Sequence, residues 1–81
     1  MKFGNNLKLI RKSKKKSQEE VASDLGLTRS SYSGYENEIA EPGIDTLIAL
    51  SQYYAVPIDD LLTKDFSTFT ESDWTTISSG L

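Results

Sequence analysis

The chain has 81 residues, a formal net charge of −3, and neither cysteine nor histidine. That length supports one small domain whose single core gives a modest margin, roughly 3–5 kcal/mol. The missing residue types exclude disulfides, zinc centres built from Cys and His, and Ser-His or Cys-His nucleophile pairs. No apolar run approaches the roughly 18 residues of a membrane span, and there is no signal-peptide core, so a cytoplasmic location is expected.

Leu7, Ile10 and the stem of Arg11 recur at helical spacing and predict a first helix over residues 3–15. Ser17 followed by Glu20 is a capping box opening a second helix, whose inner face is Val21, Ala22 and Leu25. Gly26, a residue suited to positive φ, ends it. Thr28 then caps a third helix with Tyr32 and Tyr35 on its apolar side. After the break at Pro42-Gly43, Ile44, Leu47, Leu50 and Tyr54 form the inner stripe predicted for a fourth helix over Ile44–Tyr54. Val56-Pro57 separates a short fifth helix expected to bury Ile58, Leu61 and Leu62. Further on, Thr70 and Asp73 would cap a sixth, with Trp74, Ile77 and Leu81 on one face. No segment alternates at period two, and the fold class is all-α.

The average charge conceals a polarity. Residues 1–35 carry eight Lys/Arg against three acids, a balance of +5; residues 36–81 carry one Lys against nine acids, a balance of −8. Such asymmetry suits a chain with one face for a polyanion and another turned away from it. The third helix has its own oddity: opposite the tyrosines it places Arg29, Ser30, Ser33, Gly34 and Asn37, all but Arg29 short. Gly34 alone costs a helix interior about 0.5–1 kcal/mol relative to Ala. A helix joined to its predecessor by Gly26-Leu27 and kept low on its outer face fits a major groove about 12 Å wide, with Arg29 near its start in reach of guanine edges.

The run SQEEVASDLGLTRSSYSGYENE, with Arg11, Pro42 and VPIDDLL around it, resembles the helix-turn-helix of the Xre family, which includes the phage lambda repressor and Cro. The likeness runs from about Leu7 to Leu62. It implies a five-helix lambda repressor-like DNA-binding domain over residues 1–63, with the helix-turn-helix at 17–37 and residues 64–81 as a C-terminal extension. By the same resemblance Arg29, Ser30 and Ser33 match base-reading positions. Gln18, Ser31, Asn37 and Gly34 are expected at the DNA backbone, and Arg11 with Glu36 matches a structural ion pair. Glu38 and Ala55 stand where the family usually carries glycine, and Glu41 lies in a loop that is often basic.

The expected activity is that of a sequence-specific regulator of transcription, a repressor or autoregulator, reading a pseudo-palindromic site on double-stranded DNA as a homodimer. Ile48, Tyr53, Trp74, Ile77 and Leu81 are the candidate dimer contacts, with packing of the last three on their own core as the alternative. Other readings are a restriction-modification controller protein, or an antitoxin whose acidic half and Trp74 helix bind a toxin. Catalysis is not expected: Asp59 and Asp60 are adjacent, so on a helix they diverge by about 100° and make a poor acid/base pair. No cofactor or metal is called for.

Overall fold

The computed structural model describes residues 3–68, and over them the chain forms α1 (Phe3–Ser13), α2 (Gln18–Asp24), α3 (Arg29–Glu36), α4 (Ile44–Tyr54), α5 (Ile58–Thr63) and a closing 3-10 turn, Phe66–Thr68. The sixth helix proposed from Thr70 onward, with Trp74, Ile77 and Leu81, lies outside the described residues. None of the described helices is long and apolar enough to cross a membrane.

Local chemistry sets the helix starts. Ser17 Oγ accepts from the Glu20 amide at 3.0 Å while Glu20 Oε1 accepts from the Ser17 amide at 2.9 Å, completing both halves of the capping box. Thr28 Oγ1 accepts from the Ser31 amide at 3.1 Å at the start of α3. The ends of α1 to α4 share one device: a left-handed residue followed by an amide that reaches back five positions. Lys16 bonds to the Arg11 carbonyl, Leu27 to Ala22, Ile39 to Gly34 and Val56 to Ser51. The left-handed residues are Lys15, Gly26, Glu38 and Ala55, with φ between 56° and 70°. Only one of them is glycine.

The core is built from Phe3, Leu7, Ile10, Val21, Ala22, Tyr32, Leu50, Tyr54, Val56, Leu61 and Phe66. Within α4 the centre of the buried face runs through Leu50 and Tyr54, with Leu47 half-buried beside them. Ile44 does not belong to that stripe and is 77% exposed. At 100° per residue it is turned by roughly 90° from the Leu50–Tyr54 line, toward Ile48 on the outer side. In α5, Leu61 is fully buried and Ile58 and Leu62 are half-buried.

Two residues of α1 fix how the helices meet. Gly4 lies so close to the end of α3 that an added Cβ would fall 2.4 Å from the Glu36 carbonyl oxygen and 2.9 Å from that of Tyr35. Asn6 is fully buried, and its amide nitrogen donates to the carbonyls of Leu61 (2.9 Å) and Lys64 (2.6 Å) while its oxygen accepts from the Phe66 amide (3.2 Å). The core therefore continues past Thr63, because Asn6 holds the 3-10 turn so that Phe66 drops into it.

Two substitutions test this geometry in opposite directions. Gly4→Ala should destabilise the fold by roughly 1–3 kcal/mol, because rigid backbone stands where the methyl must go. Ala55→Gly should stabilise it by about 0.5–1 kcal/mol, since relief of the left-handed conformation exceeds the added freedom of the unfolded chain. Urea unfolding of both variants beside the parent chain measures each change.

Candidate nucleic-acid interface

Glu36, in the last turn of α3, holds the helices of this region together. Its Oε2 accepts from Arg11 Nε at 2.7 Å and its Oε1 from Arg11 Nη2 at 3.1 Å, a bidentate pair with Arg11 9% and Glu36 6% exposed. Gln18 Nε2 donates to Oε1 at 3.0 Å, and Arg11 Nη1 donates to the Lys16 carbonyl at 2.9 Å. On the same helix the Tyr32 hydroxyl meets that of Tyr54 at 2.7 Å in the core. One carboxylate thus ties α1, the turn before α2, α2 itself and α3 together, with α4 joined through Tyr54.

The titration behaviour follows. Burial alone would raise the Glu36 carboxyl, but hydrogen bonds from Arg11 and Gln18 outweigh it and hold the group below its ordinary range. Burial, then the Tyr54 hydroxyl, pushes Tyr32 far up; burial pushes Tyr54 up to about 12.

Around this hub the two helices present their outer faces. Arg29, Ser30, Ser31 and Asn37 are exposed, whereas Ser33, Gly34 and Gln18 are half-buried. Thr28 Oγ1 donates to Ser31 Oγ at 2.9 Å, and Asn37 Nδ2 donates to Ser33 Oγ at 3.2 Å, so these short side chains steady one another on the helix. Among the described residues Arg29 forms no salt bridge, in contrast to Lys16, which pairs with Asp24 at 3.7 Å. Arg29 borders an open notch that it lines with Arg11, Ser17, Gln18 and Glu19. Gly34 is half-buried at the edge of that face: its carbonyl accepts from the Ile39 and Ala40 amides, and an added Cβ would sit 3.7 Å from that of Ala40, an ordinary contact.

Of the other residues singled out from the sequence, Tyr53 donates to Asp24 Oδ2 at 2.6 Å and packs edge-on against Tyr54, so its hydroxyl is used within the chain. Ile48 is 40% exposed beside the more open Ile44. Gln18 as a ligand of Glu36, and the Tyr32–Tyr54 hydroxyl pair, escaped the sequence reading. The pair had a signal, since buried tyrosines require partners; for Gln18 nothing in the sequence separates an inward from an outward amide.

Comparison with known proteins adds a family. The Helix-turn-helix family matches residues 7–61. Over 60 residues, 74% of this chain, it is 39% identical to the uncharacterized HTH-type transcriptional regulator YobD of Bacillus subtilis, covering 54% of that protein. Over an equal length it is 47% identical to the SPbeta prophage-derived uncharacterized HTH-type transcriptional regulator YonR of B. subtilis, covering 56%. It is 32% identical to the cryptic phage CTXphi transcriptional repressor RstR of Vibrio cholerae, again over 74% of the chain and 54% of the relative. The chain spans about half the length of these curated relatives. No solved structure matches it significantly.

Arg11→Met should cost about 3–5 kcal/mol, because it strands a buried carboxylate, whereas Arg11→Met with Glu36→Leu should recover much of that loss. Circular dichroism melts of the two variants separate these outcomes. The contribution of Glu36 is complete above its unfolded value of about 4.5 and is lost as pH falls through its lower folded value. That of Tyr54 is complete below its unfolded value of 10.0 and is lost as pH rises toward about 12. Melting temperature should therefore be level from about pH 5 to pH 10 and fall on both sides, with the acid limb reduced in Glu36→Gln.

Proposed function

This chain belongs to the helix-turn-helix family in its Xre form, the group of the phage lambda repressor and Cro, and on that premise we propose that it is a sequence-specific regulator of transcription that binds double-stranded DNA through α3. The observation that carries the reading is Gly34. Space exists for a methyl group there, at 3.7 Å from Ala40, and Ala would strengthen the helix by about 1 kcal/mol. Internal packing therefore gives no reason for a glycine on this side of α3; a large partner approaching the helix closely does.

In this reading Arg29, Ser30 and Ser33 enter the major groove and read base edges, Arg29 pairing with guanine. Gln18, Ser31 and Asn37 lie against the sugar-phosphate backbone, with the Gly34 main chain close by, and they position the helix without specifying sequence. The notch between Arg11, Ser17, Gln18 and Arg29 is of a kind that admits one phosphate, although the carboxylate of Glu19 on its rim limits the attraction. Arg11 and Glu36 support this surface and are not part of the readout.

One short recognition helix discriminates weakly, so the functional unit is a two-fold homodimer whose α3 helices lie about 34 Å apart in successive grooves. Ile48, with Ile44 beside it, is the exposed apolar surface on α4 available for that contact, and Trp74, Ile77 and Leu81 of the C-terminal extension are further candidates. Repression, including of its own gene, is the regulatory sense proposed here; likeness to a named transcriptional repressor, RstR, supports it.

Selection of bound sequences from random duplex DNA tests the reading and should return a short inverted repeat. On that sequence Arg29→Ala should lose roughly 1–3 kcal/mol and relax preference at one base pair per half-site. Equal loss on every sequence would make Arg29 a phosphate contact only. Gly34→Ala should raise the melting temperature yet weaken binding to the selected duplex; unchanged affinity would remove the argument from close approach.

A further inference from the structure

Gly4, Lys8, Arg11 and Lys15 follow one another at i, i+4, i+7 and i+11 and so form a single line along α1 and its end. Both ends of its helical part are fixed against α3, since Gly4 abuts the Glu36 and Tyr35 carbonyls and Arg11 grips the Glu36 side chain. Lys8, between them, is exposed. The register therefore sets it at the edge of α3 beside Glu36, where the neighbours on that helix are Ser33, three residues before, and Asn37, one after. Lys12, one turn beyond Lys8, is also exposed.

These two lysines differ from others of the chain. Lys16 is drawn to Asp24 at 3.7 Å and Lys64 to Asp60 at 3.8 Å, whereas among the described residues Lys8 and Lys12 have no salt-bridge partner. In the loop that follows α3, the exposed Glu41 brings negative charge, which a phosphate avoids. Cations that flank the α3 surface beyond Asn37 must then come from α1.

We propose that Lys8 and Lys12 form a second backbone clamp, a phosphate-binding edge on α1 that holds the strand passing beside α3 while the notch at Gln18 and Arg29 holds the other side. This rests on the DNA-binding reading above and adds residues to it. Each lysine supplies charge and no base recognition, so the pair sets affinity and its salt dependence and leaves sequence preference untouched.

The test is equilibrium binding of the full chain to a duplex recovered by selection and to a scrambled duplex, measured across potassium chloride concentrations. Exposed Lys→Gln changes on a helix leave helix propensity nearly unchanged, and a melting curve verifies that the double variant K8Q/K12Q is folded. The slope of log affinity against log salt should become shallower by roughly 1.8 in K8Q/K12Q, at about 0.9 per lost phosphate contact. Affinity should fall on both duplexes by the same factor, and K64Q should leave the slope as it was. An unchanged slope in a double variant whose parent chain binds the selected duplex specifically would overturn the clamp and leave the DNA-binding reading standing. A change in preference between the two duplexes would make these lysines base contacts and also overturn it. A parent chain that binds neither duplex would overturn both readings.

Discussion

The carboxylate of Glu36 is the point on which this small structure turns. A buried negative charge is costly in itself and becomes stable only when its hydrogen-bonding capacity is filled. Here it is filled from two helices, by Arg11 of α1 and Gln18 of α2. Because each donor has few positions from which it can reach the same two oxygens, satisfying the charge also orients the helices. The apolar core beneath would tolerate several packings of similar area; the ion pair tolerates few. Its worth lies more in fixing the angle between α2 and α3 than in added stability, since a buried pair can often be replaced by apolar side chains at little cost.

Around that hub the charges are sorted. Acids used for structure are turned inward or paired, as Glu36 with Arg11 and Asp24 with Lys16. The cations without such salt-bridge partners among the described residues include Lys8 and Lys12 on α1 and Arg29 on α3, all exposed. A chain with an overall charge of −3 can thus carry a locally positive surface, and over distances beyond a Debye length of about 10 Å at 0.1 M salt the remote acids matter little.

Much of this was legible in the residues. The five described helices fall at the predicted positions because their punctuation is written in local chemistry: Ser17 with Glu20, Thr28, Gly26 and Pro42-Gly43 each act within a few residues of themselves. What the sequence hid depends on contacts between distant segments. Gly4 reads as a poor helix former until α3 is placed against it. Asn6 reads as a polar residue on an ordinary helix until Leu61, Lys64 and Phe66 arrive. Ile44 was misplaced for the opposite reason, since hydrophobicity and near-helical spacing suggested burial where the helix had already turned away from the core. The roles of Arg29, Ser30 and Ser33 come from family likeness and from their register on α3, where Arg29 and Ser30 are exposed and Ser33 is half-buried.

The Asn6 latch has a consequence for the order of assembly. It joins residues 60 apart in the chain, and closing so long a loop from the unfolded state costs several kcal/mol in entropy, growing by about 0.6 kcal/mol with each doubling of length. Its three hydrogen bonds return about 1 kcal/mol each, which does no more than offset that cost, so the latch does not nucleate the fold. It closes after α1 has docked on α3 and the loop is already shortened. The Asn6 latch and the Glu36 hub are separate sets of bonds: one joins α1 to α5 and the 3-10 turn, the other joins α1, α2 and α3. The segment proposed to read DNA is thus held by bonds separate from those at α5 and the 3-10 turn, and the latch acts as a late-closing clasp rather than a foundation.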